Sequence, residues 1–164
     1  MLGMNTAHLA SFSRSAFVPF ARFSLFVIYF WFGVLKIAGV SPASELVQQL
    51  FDKTMSFVMP FDTFFVLFSV FEILIGLLIL FPQLTRLAVS LIFLHMFSTT
   101  LPLVMLPHVV WQAPFVPTLE GQYIIKNLLI IACALGIAAG PSPRRSGLRP
   151  REGGQRSARP ASLT

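Results

Sequence analysis

Four apolar stretches, at about residues 23–40, 63–81, 87–106 and 123–140, leave this 164-residue chain few ways to fold. Each comes close to the roughly 20 residues that a helix needs to cross about 30 Å of hydrocarbon. In that medium a helix satisfies its own backbone hydrogen bonds, so the runs predict an all-α fold, an integral membrane four-helix bundle. Breakers punctuate the boundaries: "VSPASE" follows the first stretch, "FPQLTR" the second, and "MLPHVVWQAPFVPTLEGQ" separates the third from the fourth.

Composition agrees. The chain is 55% hydrophobic and only 11% charged, with a mean hydropathy of +0.79, outside the soluble globular range. Its single cysteine excludes dithiol chemistry and an intramolecular disulfide. The net charge of +6 would suit nucleic acid, but residues 141–164 hold six Arg and one Glu and so carry +5 of it. The basicity belongs to a tail without the apolar mass for a core, expected to be disordered and to lie near anionic lipid. The partner implied is the lipid bilayer, and no nucleic acid is expected.

Lys and Arg are retained on the cytoplasmic side of short loops. Arg14 and Arg22 precede the first stretch, Arg86 lies between the second and third, and the other Arg follow the fourth. Both termini are therefore expected to be cytoplasmic. The opposite face carries Glu45, Asp52, Asp62 and Glu120, with Lys53 as its loop cation. The domain reading is a cytoplasmic, interfacial N-terminal segment at 1–22, a membrane domain at 23–140 and an Arg-rich cytoplasmic tail at 141–164. A cleavable signal peptide competes for the N-terminus, but Lys36 would break the end of its apolar core. Residues 50–61, "LFDKTMSFVMPF", suit a short amphipathic stretch on the outer surface.

The ionisable residues inside the spans are Lys36, Glu72, His95 and Lys126. At about 1.5 Å per residue, Glu72 and His95 fall near mid-membrane and the two lysines one to two turns below the outer surface. A charge at such depth is expensive unless compensated, and long lysine stems bring Lys36 and Lys126 within reach of Glu72. The alternative is that both lysines snorkel outward and Glu72 carries a proton. Residues at helical spacing trace an inward seam: Tyr29, Gly33 and Lys36; Ser69, Glu72 and Gly76; Ala88, His95 and Ser98 or Thr99; Lys126, Cys133, Gly136 and Gly140. Close helix packing alone also accounts for the small residues.

His95 lacks companions for metal or haem ligation, since the other histidines are His8 and His108. No metal is expected. A hydrogen-bonded packing histidine is the default, with a proton-relay or quinone-bonding role as the functional alternative. Pro102 deletes a backbone hydrogen bond in the third span, with Ser98 and Thr99 placed to satisfy freed groups. Trp111 suits an outer interfacial belt, and Trp31 the core or the lipid face. No phosphate loop, Cys-pair site or nucleophile arrangement is present in the sequence.

The segments "WFGVLKIAG", "FEILIGLLILFPQLTRLA" and "GQYIIKNLLIIACAL" resemble the DoxX family of small four-helix bacterial membrane proteins. The matching positions are Gly33 and Lys36, Glu72 and Gly76, and Gly121, Tyr123, Lys126 and Asn127. The resemblance spans about residues 20–140. The stretch "FSTTLPLVMLPHVVWQAPFVPTLEGQYIIKN" also resembles a sister group linked to resistance to reactive chlorine.

The resemblance implies a bacterial inner-membrane protein, the membrane anchor or quinone-facing subunit of a redox or oxidative-stress system. It would bind no covalent cofactor, take quinone as candidate ligand and rely on a redox protein partner; an oligomer is compatible with it. In this reading Lys36, Glu72 and Lys126 form a net positive cluster for a quinone head group or an oxyanion, supported by Tyr29, His95, Ser98 and Asn127. A small permease using the same cluster, and a structural protein without a ligand, are the other readings.

Overall fold

The computed structural model describes the backbone of residues 6–139 and the side chains of residues 16–139. The Arg-rich tail at 141–164 and the Gly140 position of the fourth seam lie outside the described residues. Helix α1 (Thr6–Ile37) is followed by the short α2 (Ser44–Thr54), then α3 (Phe61–Leu80) and α4 (Thr85–Thr100). After α5 (Pro102–Met105) and α6 (Pro107–Val110), a two-stranded hairpin of β1 (Trp111–Ala113) and β2 (Val116–Pro117) leads into α7 (Leu119–Ala138).

Four segments are long and apolar enough to cross a membrane: Ala16–Ile37, Phe61–Leu80, Pro82–Met105 and Leu119–Ala138. At most 33% of any of them is buried in the bundle. The rest of each, mostly apolar, is left half-buried or exposed, which only an apolar medium tolerates over so large a surface. These are the features of a multi-pass membrane protein.

Local chemistry explains the ends. The first helix runs unbroken through Pro19 and stops at Ile37, short of residue 40. Gly39, at φ 72°, reverses the chain there. Its N–H donates to Lys36 O at 3.0 Å and that of Val40 to Leu35 O at 3.0 Å, closing the helix as glycine at a left-handed position allows. Pro82, Pro102 and Pro107 each stand in the first turn of a short helical segment, where a missing N–H costs nothing. Pro102 leaves the Ser98 carbonyl without its usual donor, and the Leu101 N–H takes it at 3.3 Å. The Ser98 and Thr99 hydroxyls bond instead to the carbonyls of His95 and Met96.

The four long helices form a closed ring in which α3 packs on α1 and α4, and α7 on α4 and α1. Leu25, Ile75, Ile79, Ile92, Ala134 and Ile137 lie at its centre. Two glycines set the α1–α3 contact. A Cβ on Gly33 would stand 3.0 Å from Ser69 O, and one on Gly76 2.9 Å from the Phe30 N, so backbone meets backbone with no room for a side chain. In lipid this packing, and not hydrophobic burial, is what favours association. Phe51 pins α2 to the bundle against Phe61 and Phe64.

At the opposite end, the Arg22 guanidinium donates to Ile79 O at 2.6 Å and to the Thr85 Oγ1 at 2.5 Å. It thereby satisfies a carbonyl in the last turn of α3 and ties α1 to the α3–α4 connection.

Candidate functional site

Three helices deliver one polar chain into the bundle. From α1, the buried face Ala21, Leu25, Tyr29, Gly33 and Lys36 contributes Tyr29 and Lys36. From α3, Ser69, Glu72, Ile75, Gly76 and Ile79 are buried and contribute Glu72. From α4, the buried set Ala88, Val89, Ile92, His95 and Met96 contributes His95. Spacings of three and four put each set on one side of its helix.

The Lys36 Nζ donates to Glu72 Oε2 at 2.6 Å. The other carboxylate oxygen, Oε1, lies 3.0 Å from His95 Nε2, and His95 Nδ1 lies 3.3 Å from the Tyr29 hydroxyl. An ionised carboxylate only accepts and an ammonium only donates. The neutral imidazole with its proton on Nε2 satisfies every contact: Lys36 and His95 donate to Glu72, and Tyr29 donates to His95 Nδ1. Lys36, Glu72 and His95 are 5–6% exposed.

Aromatic rings close the surroundings. Phe68 stacks on the imidazole at 5.2 Å between centroids and lies 5.7 Å below the Lys36 ammonium. The Tyr29 ring meets His95 edge-on at 5.1 Å. The ammonium thus has a carboxylate on one side and a π-face on another, the arrangement that makes a charge tolerable away from water.

The sequence-derived cluster is brought together in part. Lys36 and Glu72 pair, and Tyr29 and His95 join them. Lys126 does not. Its side chain is exposed, with Nζ 5.3 Å from the centre of the Tyr123 ring on the same helix. The buried face of α7 is Gly121, Ile124, Ala134 and Ile137; of the expected Lys126, Cys133 and Gly136 seam, Cys133 packs against the core and Gly136 against Phe17, and Lys126 is left out. The cluster therefore holds one cation and one carboxylate. The net positive charge that would favour an oxyanion is absent from it. Ser98 bonds within its own helix, and Asn127 makes a long 3.5 Å contact with Thr99 across the α4–α7 interface. Neither reaches Glu72.

Phe68 was not expected at the site, although it stands one turn before Glu72 on α3 and so had to share its face. The bond between His95 and Glu72 was hinted at only by their common depth. Among the described residues no three of His, Cys, Asp and Glu converge as a metal-ligand set. A hollow of about 410 Å³ lies elsewhere, along Trp111, Gln112, Ala113, Pro114 and Phe115.

Comparison with family models, curated proteins and solved structures gives no match for this chain.

Proposed function

We propose that this chain is a DoxX-like subunit of a bacterial inner membrane, with both termini cytoplasmic, serving as anchor or quinone-facing component of a redox or oxidative-stress system. The observation that carries this reading is the buried chain Lys36–Glu72–His95–Tyr29. Two of the three segments that resemble DoxX converge on it: Gly33 and Gly76 bring α1 and α3 together, and Lys36 and Glu72 pair where they meet. An imidazole bonded to both a phenol and a carboxylate is suited to hydrogen-bonding a quinone oxygen and to exchanging a proton with it. No redox group is covalently held in this reading, so electrons pass through a partner protein or the quinone itself.

Affinity purification from detergent-solubilised membranes, with extraction and spectroscopy of bound quinone, tests it. Stoichiometric quinone or a co-purifying oxidoreductase, diminished in His95→Gln, is expected. A protein that carries neither argues against the reading.

A second reading is favoured by a specific observation. Among the described residues every buried side-chain nitrogen and oxygen has a hydrogen-bond partner, so the network can serve purely to fix helix register. If Glu72→Gln lowers thermal stability yet leaves quinone and partner association intact, that structural role is the correct one.

A further inference from the structure

We propose that the β1–β2 hairpin is a membrane-surface clip, with Phe115 at its tip entering the phospholipid headgroup and acyl boundary at the end of the bundle that carries Lys36. Phe115 sits at φ 63°, the one non-glycine residue with positive φ among the described residues. Turns needing that conformation ordinarily use Gly or Asn, so a bulky aromatic there is an outlier that calls for a reason. The ring does not pack inward in return, for Phe115 is 94% exposed.

The hairpin is firmly mounted. The Trp111 indole N–H donates to Leu103 O at 3.1 Å, the Thr118 N–H to Val110 O at 2.9 Å, and the Thr118 hydroxyl to Val109 O at 2.8 Å. Gly121 lies so close to the Val110 carbonyl that no side chain would fit between them. The tip is therefore presented by a rigid base built from α5, α6 and α7.

Its level follows from α7. The 20 residues Leu119–Ala138 span about 30 Å, one hydrocarbon thickness, so a hairpin ending two residues before Leu119 stands at the boundary. Exposed apolar side chains also stand on the elements that flank the hairpin. Val104 on α5 and Leu119 and Tyr123 on α7 are exposed. Phe57, 86% exposed, and Val58 lie on the α2–α3 connection, at the same end of the bundle. There the Lys53 ammonium joins α2 to α5 through Met105 O at 3.0 Å. An aromatic tip at the same end as these exposed apolar side chains fits the interfacial zone that such rings favour. Its occupant is the phospholipid surface.

Nitroxide labels at Phe115→Cys, Phe57→Cys and Gln112→Cys, each in a Cys133→Ala background, test this in phosphatidylcholine nanodiscs by collision with oxygen and with a water-soluble nickel chelate. The oxygen-to-chelate ratio is expected to be several-fold higher at 115 and 57 than at 112. A label at 115 as open to the chelate as one at 112 overturns the proposal. Phe115→Gly, which suits the left-handed backbone, is expected to leave the thermal midpoint in detergent unchanged or slightly raised. A fall as large as that of the core variant Ile92→Ala would make the tip a packing element and overturn the proposal as well.

Discussion

The sequence sets Lys36 and Lys126 at similar depths; in the structure Lys36 stands one residue from the Ile37 end of its span and Lys126 seven residues from the Leu119 end of its own, and the two end in opposite environments. Lys36 is buried against Glu72, whereas Lys126 is exposed and folds over Tyr123. Helix direction accounts for much of the difference. Side chains on a helix lean toward its N-terminus. On α1 that lean carries Lys36 back toward the middle of the bundle: Gly33 faces Ser69 and Ile73, so Glu72 lies about one turn before Lys36. On α7, which runs the other way past α1 with Gly136 against Phe17, the same lean carries Lys126 toward the near end. Rotation completes the contrast, because the buried faces of α1 and α7 include the first lysine and exclude the second.

The strongest way to break this comparison is to shorten each lysine in turn. Lys36→Met strands a buried carboxylate and is expected to cost about 3–5 kcal/mol, seen as a large fall in thermal midpoint in detergent. If Lys36→Met and Lys126→Met lowered the midpoint equally, the two environments would not differ as described.

Next comes the contact that aligns Lys36 with Glu72. Gly76→Ala drives a methyl against the α1 backbone and is expected to cost about 1–3 kcal/mol. Gly136→Ala meets only the end of the Phe17 ring, which can swing aside, and should cost clearly less. Thermal melts of the pair sharpen the claim that α1 and α3 touch backbone to backbone.

Removing the terminal hydroxyl of the polar chain is a smaller change. Tyr29→Phe deletes one buried hydrogen bond to His95 and is expected to cost about 0.5–1.5 kcal/mol. The loss should vanish in a His95→Leu background, where the hydroxyl has no imidazole to meet. Additive losses in that double-mutant cycle would show that Tyr29 acts independently of the chain.

The smallest effect belongs to Lys126. Lys126→Met is expected to change stability by no more than about 0.5 kcal/mol, as for an exposed substitution away from any network. Chemical denaturation of the two variants in the same detergent checks it.

Much of the bundle was legible because apolar run length states how far a helix must reach, and Pro and Gly state where it stops. The end of α1 shows the margin: Gly39 terminates the helix where hydropathy alone continues to Val40. A lysine partner for Glu72 was legible in part, since few other charges could serve, but the sequence offered Lys36 and Lys126 alike and the structure selects Lys36. The phase of α7 was not. It is apolar on nearly every side, so the sequence set Lys126 in one seam with Cys133 and Gly136, whereas Cys133 packs on the core and Gly136 on Phe17 while Lys126 stays outside. His95 presented a similar difficulty, because equal depth does not reveal whether two side chains face each other.

By itself, then, the sequence determined reach: apolar length states how many helices can cross the hydrocarbon and roughly where each begins and ends. Only the tertiary structure decided rotation and partner. Those depend on how closely backbones approach, and Gly33 and Gly76 set that approach for α1 and α3, turning Lys36 onto Glu72 while α7 kept Lys126 outside.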